Sequence, residues 1–435
     1  METLKFDLTK KGREFKILNA TNGGPWGNSW SKHRSNFEHY KAARIPYSRN
    51  HDLGLGNPFS HDISGIFPNF DADVNDPASY DFACTDESIL TTLEAGTETF
   101  YRLGQSIEHQ VKKHHTLPPK DFYKWAQICE HIIRHYNEGW ADGFKLNIKY
   151  WEIWNEPNLD PDDGTNKKCW GGTSTQFFDL YEIAAKHLKK CFPHLKIGGP
   201  AYAGNEPLGE EKWADSFLFE MNKRNVPIDF FSWHLYENEP EKIIALGESL
   251  KNLLIKHGYE NAESICNEWN YIKDWDENYT YSMLSIHGLK GASFLTAMMA
   301  LAQKSSIDML MYYDTRPSTF CGVFDMYSYE PLKGYYPLMW YGKFYDLENE
   351  IRAENKIENI YSLCGVDKDG KALCIITHYS DDDNAETKEI KIDFGRKGKY
   401  EIYSLDSEHD GELVKTTDEL SCTIPVHSCI MIKEI

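Results

Sequence analysis

Short apolar runs alternate along the chain with longer stretches in which apolar residues recur every three or four positions. The short runs are FKILNAT (15–21), ARIPYSR (43–49), TETFYRLG (97–104), IKYWEIWN (148–155), LKIGGPA (195–201), IDFFSWHLY (228–236), ESICNEW (263–269) and IDMLMYYD (307–314). Most are near-continuously apolar and rich in Ile, Tyr, Phe and Trp, which predicts strands buried on both faces. Helical spacing fills several of the intervals. PKDFYKWAQICEHIIRHYNEGW (119–140) opens on Pro119, a favoured first-turn residue, and puts Trp125, Ile128, Ile132 and His135 on one face. TQFFDLYEIAAKHLKKCF (175–192) and EKIIALGESLKNLLIKHG (241–258) repeat the pattern, the latter ending on Gly258 as a C-cap. GLKGASFLTAMMALAQK (288–304) is apolar nearly all round and predicts a buried helix.

Eight strand-like runs separated mostly by helices predict the α/β class and a closed (β/α)8 TIM barrel over residues 15–342. A doubly wound open sheet is the alternative, but no glycine-rich nucleotide loop accompanies it. The pattern changes near residue 343. KALCIITHYS, TKEIKIDF, KYEIYSLD and CTIPVHSCIMIKEI alternate apolar and polar residues between polar loops, which predicts an accessory antiparallel β-sandwich over 343–435. A strand from residues 1–14 is expected to complete it.

In such a barrel the chemistry sits where the strands end. Polar residues at those ends are Arg49, His51 and Asp52; Asn155 and Glu156; His234 and Tyr236; Glu268, Trp269 and Asn270; and Tyr313 and Asp314. Two carboxylates, Glu156 and Glu268, end the fourth and seventh strands, which can face each other across the mouth. Glycoside hydrolysis needs such a pair, one acid protonated and the other ionised. A partly desolvated Glu156 near another carboxylate would keep its proton, while Arg49 and the Tyr236 hydroxyl would hold Glu268 ionised. Bland readings stand beside these. Arg49 alone also reads as an ion-pair residue, His51 and His234 as hydrogen-bonded structural histidines, and Asp314 as a turn cap.

The 435 residues carry a formal net charge of −20, which disfavours nucleic acid and anionic membrane surfaces as partners. No apolar run of 18 residues appears, and METLKFDLTKKGREF lacks the apolar core of a signal peptide, so a cytoplasmic protein is expected. Aromatics make up 14% of the chain, an excess that suits sugar-stacking platforms as well as a core. Trp26, Trp269 and Trp340 are the candidates for ringing the cleft. The ten cysteines are scattered without metal-site spacing, so free thiols are expected, with no metal and no organic cofactor.

WEIWNEPN followed by NEWN resembles the clan of retaining glycosidases built on (β/α)8 barrels. The ordered set YSRNH, PPKDFYKW…RHYNEGW, YWEIWNEPNL, IGGPAYAG, VPIDFFSWH and NEWN is closest to glycoside hydrolase family 39, with its β-xylosidases and α-L-iduronidases. The resemblance spans residues 15 to about 345. It implies Glu156 as general acid/base, Glu268 as nucleophile and Asn155 at the sugar's 2-hydroxyl. Arg49 with Tyr236 or His234 would position or ionise the nucleophile, and His51 would meet outer hydroxyls. Trp269, Asn270, Tyr313 and Trp26 complete the expected sugar-binding set. Three features depart from the family: Arg102 stands where an acid is frequent, Asn267 precedes the nucleophile in place of a small Thr or Ser, and the loop 52–82 is distinctive. The implied activity is exo-hydrolysis of small oligosaccharides or glycosides, β-xylosides first, then arabinosides, galactosides or glucosides. A sugar-binding or transglycosylating barrel is the alternative, and homo-oligomerisation stays open.

Overall fold

The computed structural model describes residues 1–27, 34–52 and 61–435. The chain opens with β1 (Glu2–Lys11) and then builds β2 (Ile17–Asn22), β3 (Tyr47–Arg49), β4 (Glu98–Leu103), β5 (Tyr150–Ile153), β6 (Lys196–Ala203), β7 (Phe230–Glu237), β8 (Glu263–Tyr271) and β9 (Met309–Tyr312). Strands β2 to β9 pair in sequence order, and β9 returns to β2, closing an eight-stranded parallel barrel. Closure excludes the open doubly wound sheet.

Alternation along the strands layers the barrel interior. Ala20, Phe100, Tyr150, Phe230, Ile265, Met309 and Met311 form an apolar cluster of their own, with Phe100 and Tyr150 stacked at 5.2 Å. Two residues further along five of these strands stand Asn22, Arg102, Glu152, Ser232 and Asn267, all buried. An apolar floor thus carries a dry polar layer, and the mouth of the barrel opens above it. Outside, the helix Phe122–Asn137 buries Trp125, Ile128, Ile132 and His135 as its spacing predicts. Its start differs from expectation: Pro119 lies outside the helix, and Asp121 caps it by accepting from the amides of Tyr123 and Lys124. An aspartate oxygen satisfies amides that a proline ring cannot reach. Helix Leu289–Ala302 is buried almost throughout, as predicted.

The pairing of β7 with β8 contains one irregularity. Trp233 lies opposite Cys266, yet His234 lies opposite Glu268. Asn267 is therefore an extra residue on β8, a bulge that resets the alternation. Ile265 and Asn267 face the barrel interior below it, and Glu268 faces inward directly after it.

The remaining strands are β10 (Asn349–Ala353), β11 (Ile360–Val366), β12 (Ala372–His378), β13 (Lys388–Asp393), β14 (Tyr400–Leu405), β15 (Asp410–Thr417), β16 (Ser421–Ile424) and β17 (Cys429–Glu434). They form a second sheet in the order β15-β14-β17-β12-β11-β10-β1-β13-β16. Every pair is antiparallel except β1 with β13, which runs parallel. β1 enters this sheet from the opposite end of the chain, so a hairpin does not dictate its direction. All ten cysteines are free. No helix among the described residues is long and apolar enough to cross a membrane.

The loop after β12 grips the barrel. Asp381 accepts from the Tyr271 hydroxyl and from Asn238 Nδ2, both at 2.8 Å. The buried Lys290 ammonium lies 3.1 Å from Asp381 and 2.8 Å from Asp383. Tyr271 ends β8 and Asn238 follows β7, so this contact ties the second sheet to the rim of the barrel mouth. Replacing Lys290 by Met strands two carboxylates. A loss of about 2 kcal/mol is expected, below the full cost of breaking a buried pair because Asp383 is half-exposed. Urea unfolding measures it, and an unchanged midpoint would show that the lysine contributes nothing.

Candidate active site

Arg49 ends β3 at the centre of the polar layer and is fully buried. Its guanidinium donates from Nε to Glu152 at 2.7 Å, from Nη1 to Glu268 at 2.6 Å and to Asn22 at 3.3 Å, and from Nη2 to Asn155 at 2.7 Å. Burial opposes its charge, but the Glu152 and Glu268 carboxylates outweigh that and hold Arg49 protonated. Asn267 Nδ2 supplies a further donor to Glu152 at 2.6 Å. The Tyr236 hydroxyl donates to Glu268 at 2.8 Å. Glu268 thus accepts one cationic and one neutral hydrogen bond, both favouring its charged form.

Glu156 has a different setting. Trp154 and Glu156 both adopt left-handed backbone, at φ 74° and 46°. Such residues cost about 1–3 kcal/mol each and cluster at functional sites. The twist turns Trp154 away from the mouth, where its indole donates to the carbonyl of Cys169. The next two residues both turn in, Asn155 to Arg49 and Glu156 to His234. Gly104 makes room for this turn, because a Cβ there would lie 3.1 Å from the Trp154 Cα. His234 Nδ1 is 2.8 Å from a Glu156 oxygen and 3.6 Å from Glu268. Burial pushes Glu156 up to about 7, against the pull of Arg49. Burial also pushes His234 down to about 4, so this imidazole is neutral at pH 7. Glu268 is raised by burial as well, with His234 and Arg49 acting against it.

Glu156, Glu268, Arg49, Asn155, His234 and Tyr236 therefore meet in one buried constellation. His234 leans to Glu156 rather than to the Glu268 carboxylate it was expected to position. His51 is buried with both nitrogens engaged: Nδ1 accepts from Arg102 at 3.1 Å and Nε2 lies 3.3 Å from Asp52. Arg102 pairs with the buried Asp62 at 2.7 Å. Asn270 spends its amide on the backbone of Tyr313 and Tyr271. Tyr313 lies edge-on to Tyr236 at 6.2 Å.

Trp269 is corrected. It is fully buried on the helix side of the barrel, 5.3 Å from Tyr312 and 6.3 Å from Phe294. Once the bulge points Glu268 inward, its neighbour must point out. Trp340 is likewise a core residue of the helix Tyr335–Gly342, with no exposed surface. Trp26 is half-buried after β2, with main-chain bonds to Asn36. Of the loop 52–82, residues 53–60 lie outside the described residues.

Several contributors escaped the reading of strand ends. Glu152 and Asn22 sit one layer below the mouth, and the two-residue alternation Tyr150, Glu152 would have exposed the first. Arg316 follows β9 and pairs with Asp314 at 2.5 Å while donating to the Tyr313 hydroxyl at 3.1 Å. Trp275, half-exposed, stands edge-on to Tyr236 at 5.3 Å, and Phe320 lies 6.2 Å from Tyr313. These rings stand beside Tyr236 and Tyr313, where Trp269 does not.

One oxygen of Glu156, one of Glu268 and one ring nitrogen of His234 all lie within 4.8 Å of each other. A divalent cation spans such a gap, but the donor set argues against one. The Arg49 guanidinium held on Glu268 is fully buried, so it would repel a metal here with no solvent to screen it.

A barrel with two glutamates at the ends of β5 and β8 defines the class, and comparison supplies the family. The sequence profile described as glycosyl hydrolases family 39 matches residues 45–282, more than half of the chain. The chain belongs to that family. It is 30% identical over 204 residues to a β-xylosidase of Geobacillus stearothermophilus, a match covering 44% of this chain and 36% of that relative. A β-xylosidase of Caldicellulosiruptor saccharolyticus is 31% identical over 188 residues, 41% of this chain and 35% of the relative. The matched segment is thus about a third of these relatives' length. The fold resembles a glucosidase from Croceicoccus marinus over 100% of this chain and 99% of that one, with a TM-score of 0.79 at 21% identity. It also resembles a monomeric β-xylosidase from Caulobacter crescentus CB15 over 100% and 99%, with a TM-score of 0.72 at 14% identity.

Because Arg49 balances two buried carboxylates, Arg49→Met is expected to cost about 3–5 kcal/mol at pH 7. The sign of its pH dependence follows. Without the cation, the native pKa of Glu268, already raised by burial, climbs further above the unfolded value of about 4.3. The variant is then relatively most stable below that value and loses stability as pH rises. Urea unfolding at pH 5 and pH 7 checks this, and an equal deficit at both would refute the charge argument.

Proposed function

We propose that the protein is a retaining glycoside hydrolase that removes single sugars from small glycosides, with the barrel of residues 15–342 as its catalytic unit. The observation that carries this is the spacing of the carboxylates. With one oxygen of Glu156 and one of Glu268 no more than 4.8 Å apart, the pair falls on the side of the roughly 5–5.5 Å between carboxyl groups of retaining enzymes rather than the roughly 6.5–9.5 Å of inverting ones.

Glu268, held ionised by Arg49 and Tyr236, attacks the anomeric carbon. Glu156, still protonated near pH 7, donates to the leaving oxygen, and a glycosyl-enzyme forms. Glu156 then takes a proton from water, which releases the sugar with its configuration retained. His234, neutral, hydrogen-bonds Glu156 and keeps its carboxyl oriented through the exchange of roles. Asn155, fixed through its oxygen by Arg49, presents its amide to the 2-hydroxyl, where hydrogen bonds tighten towards the transition state.

The sugar is proposed to be neutral. Arg49, Arg102 and Arg316 are each paired with carboxylates of the chain, so a uronate would meet no uncommitted guanidinium among them. β-Xylosides come first, supported by the two β-xylosidase relatives, with β-glucosides next. A panel of nitrophenyl glycosides tests this, and preference for a uronide would overturn it.

The two glutamates are expected to fail differently. Glu268→Ala should abolish turnover of nitrophenyl β-xyloside. Glu156→Ala should still release nitrophenolate, a leaving group needing little protonation, and then stall as the glycosyl-enzyme. Azide, needing no general base, should rescue it as a glycosyl azide of retained configuration. An azide product of inverted configuration would defeat the assignment.

Because Glu156 must carry a proton in the first step and titrates near 7, kcat/KM should decline as pH rises through about 7. Its pH profile measured with an alkyl xyloside, whose departure needs the acid, checks this. A profile flat to pH 9 would mean that Glu156 is not the acid.

A further inference from the structure

On the outside of the barrel, away from the glutamate pair, three side chains of metal-ligand type converge. Glu130 lies in the helix Phe122–Asn137, and His187 and Cys191 lie four residues apart in the next helix, Ser174–Cys191. Residues at that spacing share a helix face. His187 Nε2 is 2.6 Å from Glu130 Oε2 and 3.9 Å from the Cys191 sulfur. One ligand atom from each lies within 4.8 Å of the others. All three are partly exposed, so solvent reaches the cluster. The second helix leads into the start of β6, which places Cys191 towards the barrel face opposite the catalytic mouth.

The geometry points to a zinc-type transition-metal site that bridges these two helices through Glu130, His187 and Cys191, with water in the fourth position. Zinc takes sulfur at about 2.3 Å and nitrogen or oxygen at about 2.0–2.2 Å in a tetrahedron, which sets sulfur and nitrogen about 3.6 Å apart and nitrogen and oxygen about 3.4 Å apart. The sulfur–nitrogen separation is already close to that. The Glu130–His187 pair must open by under about 1 Å, a change within reach of a side-chain torsion on two neighbouring helices. Imidazole with thiolate selects zinc or cobalt over magnesium or calcium. Arg134 completes the arrangement by binding the other oxygen of Glu130, Oε1, at 2.7 Å. That fixes the carboxylate and leaves Oε2 to the metal, in the way outer partners commonly orient a ligating carboxylate. Binding exchanges the Cys191 thiol proton for the metal: the sulfur–hydrogen bond breaks, a sulfur–metal bond forms and one proton enters solution.

The test uses the full chain freed of metal and titrated with Co2+, then Zn2+. One equivalent of Co2+ should give a near-ultraviolet thiolate-to-cobalt band that Zn2+ bleaches, with release of one proton. Cys191→Ser should abolish the band, and His187→Ala should weaken binding by more than about tenfold. Zn2+ should raise the Tm of the native chain but not of Cys191→Ser. Turnover by Cys191→Ser should equal that of the native chain. Cys169, 3.8 Å from Glu156, is the competing thiolate, so Cys169→Ser must keep the band. No band, or a band that survives Cys191→Ser, overturns the proposal.

Discussion

Everything at the mouth of this barrel depends on where one buried cation can reach. The Arg49 guanidinium serves Glu152, Glu268, Asn155 and Asn22 at once, residues on or just beyond three different strands, β2, β5 and β8. Only a planar fork with several fixed donors can do that; an ammonium is a point charge. In a dry site two carboxylates cannot share one layer without such a cation. The arginine therefore sets the relative heights of β2, β3, β5 and β8 as much as the backbone ladder does. It also places the Asn155 amide, so in the proposed mechanism the charge of the nucleophile and the grip on the sugar answer to one residue.

The two glutamates differ through their partners rather than through their burial, which both share. Glu268 accepts from a cation and a phenol, whereas Glu156 pairs with a neutral imidazole. The cation and the phenol favour the charged form of Glu268, whereas Glu156 has no such donors and is pushed up to about 7 by burial. His234 stands between them and stays uncharged because burial makes its cationic form costly. A charged imidazole there would favour ionisation of both acids and erase the difference on which a proton-donating step depends.

Much of this was readable from the residues. The eight apolar runs mark the barrel strands, and the acids that end two of them mark the mouth. What the pattern did not reveal has a common physical origin in broken alternation. A bulge at Asn267 makes Asn267 and Glu268 both face inward and sends Trp269 outward, and left-handed backbone at Trp154 and Glu156 does the like beside β5. Reading consecutive residues as one set therefore credited Trp269 with a face it does not have. Glu152 was missed for the opposite reason, because attention to strand ends overlooked the layer beneath. Trp275 lies in a loop and carries no periodic signal. His51 held the right place but not the right freedom, since its partners Arg102 and Asp52 come from elsewhere in the fold.

The parallel pairing of β1 with β13 has a consequence for biosynthesis. β1 lies between β10 and β13, strands that leave the ribosome more than 300 residues after it. A nascent chain must therefore carry β1 without either neighbour while the whole barrel is translated. Such late closure between distant parts of a chain is slow. It also makes the sheet later to finish than the barrel, which lies in the chain between two segments that become one layer only once β10 and β13 have been translated.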